Sequence, residues 1–269
     1  MELQKDVNAA PVHGIVRLPD TAPLAAYEKD GITIYRGESL NVLRQLPDAI
    51  CDCVITDPPY SSGGLFRGDR SGDAAQKYVG WNNSDKKQYG TFGGDSRDQR
   101  SFFAWASLWL AESWRIAKPG AQCYVFTDWR QLPVVTDAVQ AGGWTWRGLL
   151  VWDKGVGRPM KGRYRNHLEY VVWCSNGAMP EADDIYPSTL LHVPTVPSDK
   201  RDHPTQKPVA LIETLLSVCP QGGIVLDPFM GSGTTLEAAK YSGRGAIGIE
   251  IDPKYCDDGA RRLSQGVLF

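Results

Sequence analysis

The stretch that decides the fold is residues 224–235, which read IVLDPFMGSGTT. Three apolar residues are followed by an acid, Asp227, and by two glycines, Gly231 and Gly233, before a helical pattern begins at Thr234. A short apolar run of this kind is typical of a buried strand in a parallel sheet. The glycines allow a sharp turn into a helix N-terminus, where unpaired N–H groups can hold an anion. The stretch therefore predicts an α/β fold with a ligand site at the carboxyl edge of its sheet.

A second stretch of the same kind lies far upstream, where residues 53–60 read CVITDPPY. Asp57 also follows an apolar run, so we expect it at the same edge of the sheet. Its carboxylate and the ring of Tyr60 could clamp a planar group, although the string alone is also typical of an ordinary strand-ending turn. Together the two strings predict one cleft with two occupants.

The bulk composition limits the class of protein. With 269 residues, 42% of them hydrophobic, the chain can form one large α/β core. A formal net charge of -2 excludes attraction to nucleic acid by overall charge, but leaves room for a locally basic groove. The six cysteines form no CxxC pair or Cys/His cluster, so no metal site is predicted. No apolar run approaches the ~20 residues of a membrane span and no signal peptide is evident, so we expect a cytoplasmic protein without a membrane partner.

The pattern of hydrophobic residues divides the chain into an N-terminal arm, residues 1–30, and a catalytic domain, residues 31–269. From Gly31 onward strands alternate with helices, which predicts right-handed crossovers and a mostly parallel central sheet with helices on both faces. The expected strands are 32–35, 52–56, 122–127, 147–152, 168–174, 224–226 and 246–251. The expected helices are 40–46, 102–116, 132–141, 208–218, 234–241 and 253–263, and residues 118–120 are expected to form a turn.

The glycine turn does not fit two common phosphate-binding patterns. No lysine precedes Thr234 to reach a nucleotide phosphate, and the G-x-G-x-x-G spacing of dinucleotide-binding folds is missing. Glu250 ends the next predicted strand, near the ~20-residue offset at which an acid meets ribose hydroxyls in nucleotide-binding α/β folds. The alternative for Glu250 is a solvated acid at a strand end.

A third string, HPTQKP at residues 203–208, lies between the Asp57 string and the glycine turn. With the Asp57 string first, a variable middle and the glycine turn last, residues 31–263 resemble the S-adenosylmethionine-dependent DNA amino-methyltransferases with the permuted motif order of the β group. The resemblance implies a Rossmann-like methyltransferase fold, S-adenosylmethionine as cofactor, and DNA as the partner that is methylated.

The resemblance also implies which residues surround the cofactor. Lys207 would pair with its carboxylate, the alternative being a solvated lysine at a helix start. Glu38 stands where the family usually has an aspartate that accepts from the adenine amino group, and its alternative is a helix cap. The full set is Glu38, His203, Thr205, Gln206, Lys207, Asp227, Phe229, Gly231, Ser232, Gly233, Thr234, Thr235 and Glu250.

Residues Asp57, Pro58, Pro59 and Tyr60 are the expected catalytic tetrad. An exocyclic amino nitrogen is a poor nucleophile because its lone pair is delocalised into the ring. Asp57 and the carbonyl of Pro58 would accept its two N–H bonds and orient the nitrogen for direct in-line displacement. Tyr60 would stack on a base flipped out of the duplex.

Several alternatives remain open at this point. An aspartate at the first tetrad position is more typical of adenine N6 enzymes, and cytosine N4 transfer is the runner-up. RNA or a protein amide is a less favoured substrate. An alternative from another functional class is a catalytically silent protein that binds the cofactor and DNA. The sequence leaves open a homodimer, a restriction partner, a phage origin and the recognition sequence.

Two irregular basic regions are the expected DNA contacts. Residues 61–100, which we expect to form a mobile DNA-facing loop, hold seven Lys/Arg against five Asp, and residues 153–170 hold five Lys/Arg against two acids. Residues 153–202 would include target recognition. Either region could instead be a solvated surface. The candidate DNA-binding residues are Arg67, Arg70, Lys86, Lys87, Arg130, Arg158, Lys161, Arg163 and Arg165.

Overall fold

The fold is taken from a computed structural model, which describes residues 24–59, 97–155, 157, 159, 161–180, 185–196 and 206–264. These residues form a nine-stranded sheet with six helices assigned along the chain. The strands are β1 (Ala25–Lys29), β2 (Ile32–Arg36), β3 (Cys51–Thr56), β4 (Ala117–Thr127), β5 (Thr145–Asp153), β6 (Leu168–Ser175), β7 (Leu190–His192), β8 (Ile224–Asp227) and β9 (Gly245–Glu250). The helices are α1 (Ser39–Leu43), α2 (Gln99–Ile116), α3 (Leu132–Ala141), α4 (Val209–Leu216), α5 (Thr234–Tyr241) and α6 (Pro253–Ser264).

The strand order in the sheet is β1-β2-β9-β8-β3-β4-β6-β5-β7. Strands β2, β9, β8, β3 and β4 are parallel to one another, whereas β6 pairs antiparallel with both β4 and β5. The expected mostly parallel sheet is therefore confirmed, with an antiparallel strand inserted at β6. Because β6 runs the other way, its first residues, not its last, lie at the edge where the parallel strands end.

Helices cover both faces of the sheet. One hydrophobic cluster joins α1, α2 and α3 to residues such as Val54 and Val125 on one face. The other cluster joins α4, α5 and α6 to Ile55 and Phe126 on the opposite face. Alternate strand residues point to opposite faces, so each strand contributes to both clusters. None of the described helices is both long enough and apolar enough to cross a membrane.

Two short strands were not expected from the sequence. Strand β1 lies within the segment 1–30 that was predicted to be an arm, and it pairs antiparallel with β2. Its residues are mostly exposed, so it has no buried face that a hydrophobic pattern could reveal. Strand β7 has only three residues and pairs with β5 inside a segment, residues 175–207, for which no strand was expected.

The predicted turn at residues 118–120 lies inside β4. The pairing of β3 with β4 jumps from Cys51↔Ala117 to Cys53↔Gln122, so these residues form an irregularity within the strand. This irregularity also explains why Cys51 and Cys53 belong to clusters on opposite faces, although strand periodicity alone would place them on one face.

Candidate active site

The two strings that were expected to share a cleft are joined directly in the structure. Strands β3 and β8 are parallel neighbours, so the residues that follow them, Asp57 and Pro228, leave the same edge of the sheet. Thr56, the last residue of β3, donates a hydrogen bond from Oγ1 to Oδ1 of Asp227 at 2.9 Å. Both side chains are buried. The two motifs therefore form one continuous site.

A cavity of about 380 Å³ opens at this edge. Most of the described residues predicted to bind the cofactor line it, together with three members of the tetrad. The residues that line it include Glu38, Asp57, Pro58, Pro59, Arg97, Trp105, Phe126, Gln206, Lys207, Asp227, Phe229, Gly231, Ser232, Thr234, Thr235 and Glu250.

The glycine turn has the backbone conformation that its glycines predict. Gly231 has φ +52° and Gly233 has φ +83°, and the left-handed region favours glycine. A Cβ atom built on Gly231 would meet no atom within 4 Å, and this residue borders the cavity. Gly233 is the N-cap residue of α5 and has no side chain to cap the helix, so the first N–H groups of α5 remain available to an anion.

Glu250 holds the turn in place from the end of β9. Its Oε2 accepts a hydrogen bond from the backbone N–H of Gly231 at 3.0 Å, and its Oε1 accepts from the N–H of Asp252 at 2.8 Å. Burial raises the pKa of Glu250, while these backbone donors lower it, and the net shift is upward. Each carboxylate oxygen has a second lone pair, so Glu250 can still accept from hydroxyl groups of a ligand.

Glu38 caps a helix, as its alternative interpretation anticipated. It is the N-cap residue of α1, and its Oε2 accepts from the backbone N–H of Asn41 at 2.9 Å. The residue also borders the cavity, so capping holds its carboxylate at the cleft. The adenine contact implied by the resemblance stays a prediction.

One wall of the cavity is aromatic. The ring of Phe229 lies 5.4 Å from Trp105 and 5.1 Å from Trp109, with tilted and edge-on geometries typical of stable aromatic pairs. The guanidinium of Arg97 lies 4.5 Å from the Trp105 ring centroid. Both Arg97 and Trp105 border the cavity, and the sequence patterns did not single them out.

Asp57 is held by a buried lysine. The ammonium of Lys207 forms an ion pair with Oδ2 of Asp57, and it lies 3.4 Å from Oε2 of Glu169. The other oxygen of Asp57, Oδ1, is buried and has no hydrogen-bond partner among the residues that the structure describes. The Asp57 side chain is one-quarter exposed (25%) and borders the cavity. Oδ1 therefore retains its full capacity as an acceptor.

The two aspartates at the strand ends have raised pKa values. Burial raises the pKa of Asp57, the Lys207 ammonium lowers it, and the nearby Glu169 carboxylate raises it again. Burial also raises the pKa of Asp227 to about 6, although hydrogen bonds from Thr235, Phe229 and Thr56 favour the ionised form. Both groups combine burial, a specific partner and a place in a cleft, which is typical of functional carboxylates.

Lys207 reaches the cleft, but its ammonium contacts Asp57 and Glu169. Its predicted pairing with a cofactor carboxylate stays a prediction. Gln206 borders the cavity as expected. The remaining predicted site residues Tyr60, His203 and Thr205 lie outside the described residues.

The candidate DNA-binding residues that are described lie at the same edge. Arg130 follows β4, pairs with Asp128 at 3.3 Å and lies 5.1 Å from the ring of the exposed Trp129. Lys161, Arg163 and Arg165 are exposed in the segment that connects the end of β5 to the start of β6. Arg67, Arg70, Lys86, Lys87 and Arg158 lie outside the described residues.

Glu169 is a further residue beside the site that sequence reasoning missed. It is an acid within the otherwise apolar run of β6, and that contrast was the available signal. Its position near Asp57 depends on the antiparallel direction of β6, which the alternation of strands and helices did not predict.

Comparison with known proteins agrees with this geometry. The family model for N6/N4 methyltransferases, described as DNA methylase, matches residues 51–261. The YubD protein of Escherichia coli K12 is 31% identical over 231 residues, which covers 85% of this chain and 88% of YubD.

Two solved structures share the fold. The M1.HpyAVI–SAM complex has a TM-score of 0.61 and 23% sequence identity, covering 86% of this chain and 98% of that chain. The cytosine-N4-specific PvuII DNA methyltransferase has a TM-score of 0.66 and 20% identity, covering 95% of this chain and 92% of that chain. The family model matches most of the chain, and both strand-end motifs lie on one cleft. The chain therefore belongs to the N6/N4 family of DNA methylases.

Proposed function

We propose that this DNA methylase transfers a methyl group from S-adenosylmethionine to the exocyclic N6 of adenine in DNA. The observation that carries methyl transfer to an amino group is the state of Asp57, and the choice of adenine rests on the aspartate at the first tetrad position, which the family resemblance makes more typical of adenine N6 enzymes. One carboxylate oxygen is held by Lys207, and the other is a buried acceptor without a partner among the described residues, beside the cavity that the glycine turn borders. A buried acceptor of this kind is suited to an amino-group N–H.

The cavity fits the cofactor of this family, S-adenosylmethionine. The open position at Gly231 gives room for a ligand against the backbone, and the uncapped N-terminus of α5 favours a carboxylate. Glu250 would accept from ribose hydroxyls, and Phe229 and Trp105 provide an aromatic wall. Bound there, the cofactor supplies an electrophilic methyl group on a positively charged sulfur.

The chain's own residues would then prepare the amino nitrogen. Asp57 accepts one of its N–H bonds through Oδ1, and the carbonyl of Pro58 accepts the second. Pro58 is buried, its ring fixes φ, and the following Pro59 restricts its ψ, so this carbonyl has little freedom to move. Withdrawing both hydrogens from the ring plane restores the lone pair, and alignment of this pair with the methyl group lowers the barrier to transfer. The Asp57 carboxylate is also the base that would take the proton that the nitrogen loses.

The base would be flipped out of the duplex, because an amino group within the stack cannot reach a cleft at the sheet edge. Tyr60 is proposed to stack on it. The exposed side chains of Lys161, Arg163 and Arg165 at the same edge are proposed to contact phosphates, which position DNA without reading its sequence.

The experiment that tests the choice of base is a digestion of methylated DNA to nucleosides followed by mass spectrometry. N6-methyl-2′-deoxyadenosine supports the proposal, and N4-methyl-2′-deoxycytidine as the only methylated product would contradict it. A sample incubated without enzyme corrects for modification already present in the DNA.

A further inference from the structure

Glu169 connects the catalytic acid to a second strand of the sheet. It is the second residue of β6, opposite Trp152 of β5, and the next residue, Tyr170, pairs with the last residue of β4. Its carboxylate forms ion pairs with two ammonium groups: Lys154 Nζ lies 3.0 Å from Oε1, and Lys207 Nζ lies 3.4 Å from Oε2. Both amines outweigh the effect of burial and lower the pKa of Glu169, so this group is ionised.

Lys207 is correspondingly buried between two carboxylates. Its side chain is only 7% exposed, and its ammonium lies 5.1 Å from the ring centroid of Phe126. Burial lowers the pKa of Lys207, but Asp57 and Glu169 outweigh it and raise the pKa. A buried ammonium is stable only with such partners, so its position is determined by the two carboxylates together. The charges therefore alternate in sign along a cluster of four residues, Lys154, Glu169, Lys207 and Asp57.

We propose that Glu169 is a positioning residue for methyl transfer, which holds the Lys207 ammonium against Oδ2 of Asp57 and so fixes the carboxylate that accepts the amino group. This inference rests on the proposed role of Asp57. Glu169 does not touch the reacting atoms, and it acts through Lys207. Lys154 holds Glu169 in turn and keeps the charge of the cluster balanced.

The charges around Asp57 determine in which direction each substitution in the cluster shifts the pKa of Asp57. Lys207 faces Asp57 from the segment before α4, Glu169 faces it from β6, and Asp227 lies at the end of β8. The negative charge of Glu169 raises the pKa of Asp57. Removing that charge lowers the pKa of Asp57 and makes it a weaker acceptor. Removing the positive charge of Lys154 leaves Glu169 unbalanced and raises the pKa of Asp57.

The test is the pH dependence of single-turnover methyl transfer to DNA at saturating S-adenosylmethionine. In Glu169→Gln, we expect the rate on the alkaline plateau to fall about ten- to a hundredfold, the loss that a small misplacement of a reacting group produces. The acid limb of the profile should move to lower pH, and in Lys154→Gln it should move to higher pH. Glu169→Asp restores the charge, so its acid limb should return toward that of the wild type. The dissociation constant for S-adenosylmethionine should change by less than about twofold, because Glu169 does not border the cavity.

Glu213→Gln is the matched control, since Glu213 is an exposed acid on α4 that takes no part in the cluster. It should leave both rate and profile unchanged. The inference is wrong if Glu169→Gln keeps the wild-type rate and acid limb. It is equally wrong if the rate falls with the melting temperature while the acid limb stays in place. Asp57→Ala separates this inference from the proposed function: if that variant still methylates DNA at the wild-type rate, the role of Asp57 itself fails.

Discussion

Thr56 and Asp227 are 171 residues apart in the chain, yet Oγ1 of Thr56 donates a hydrogen bond to Oδ1 of Asp227 at 2.9 Å. This bond joins the strand that carries the tetrad to the strand that carries the glycine turn, and both side chains are buried. It holds the proposed cofactor half and the proposed substrate half of the cleft in one arrangement.

Replacing Thr56 with valine should therefore weaken both stability and cofactor binding. Valine keeps the shape but removes the donor, and a buried carboxylate that loses a partner costs about 1 to 3 kcal/mol of unfolding free energy. Denaturant titration measures this loss, and calorimetry measures S-adenosylmethionine binding. Thr214→Val removes a hydroxyl that donates to Ala210 within α4 and serves as the control. Equal cofactor affinity in Thr56→Val and wild type would show that the bond does not shape the site.

The raised pKa of Asp227 predicts an unusual pH dependence of the unfolding free energy. Its folded-state pKa is about 6, above the ordinary value of 3.8, so the folded protein binds the proton more tightly than the unfolded chain. The contribution of Asp227 to stability is therefore present below the unfolded pKa and is lost as pH rises through the folded pKa. Because the two pKa values differ by about 2, the loss amounts to about 3 kcal/mol between about pH 4 and pH 7.

The measurement compares wild type with Asp227→Asn, which cannot titrate. The difference in unfolding free energy between the two proteins should change with pH in the direction given above, with the wild type losing stability relative to the variant as pH rises. A difference that is constant across this range would mean that the folded pKa of Asp227 is not raised.

Gly231 should be required for two separable reasons. Its φ of +52° makes alanine strained by about 1 to 2 kcal/mol, and the added methyl group would project beside the cavity. Gly222 has φ +67° and an equally open Cβ position but does not border the cavity, so Gly222→Ala carries only the strain. We expect both variants to lose similar stability and only Gly231→Ala to lose S-adenosylmethionine affinity, by at least about tenfold. Similar affinities in the two variants would contradict this account of the turn.

The exposed basic residues Lys161, Arg163 and Arg165 should contribute to DNA affinity through phosphates. If each contacts one phosphate, the triple alanine variant reduces the slope of log affinity against log salt by up to about three. Binding isotherms at several salt concentrations measure this slope. A charge-matched control removes Lys29, Arg44 and Arg261, which are also exposed and do not border the cavity. Equal slopes in the two triple variants would show that residues 161–165 are an ordinary solvated surface.

The sequence predicted those features of the fold that depend on local pattern. The apolar runs before Asp57 and Asp227 correspond to β3 and β8, and the helical pattern from 132 to 141 corresponds to α3. Strand β1 escaped prediction because its residues are mostly exposed, and a strand without a buried face leaves no alternating pattern.

The charge cluster around Asp57 could not be predicted for a different reason. Glu169 is close to Lys207 only because β6 is antiparallel to β4, and Lys207 precedes a helix on the other side of the sheet. Such pairings follow from topology, which the spacing of residues along the chain does not contain. The two strand-end motifs were predictable because parallel strands bring their carboxyl ends to one edge.

The most direct test of the central claim is transfer of a labelled methyl group from S-adenosylmethionine to mixed-sequence DNA, with the labelled nucleoside identified. The account predicts labelled N6-methyl-2′-deoxyadenosine for the wild type. For Asp57→Ala, it predicts a loss of at least about a hundredfold in rate, the contribution typical of a positioned acid–base group, with cofactor binding retained. Label found only on cytosine, or equal label with Asp57→Ala, would contradict it.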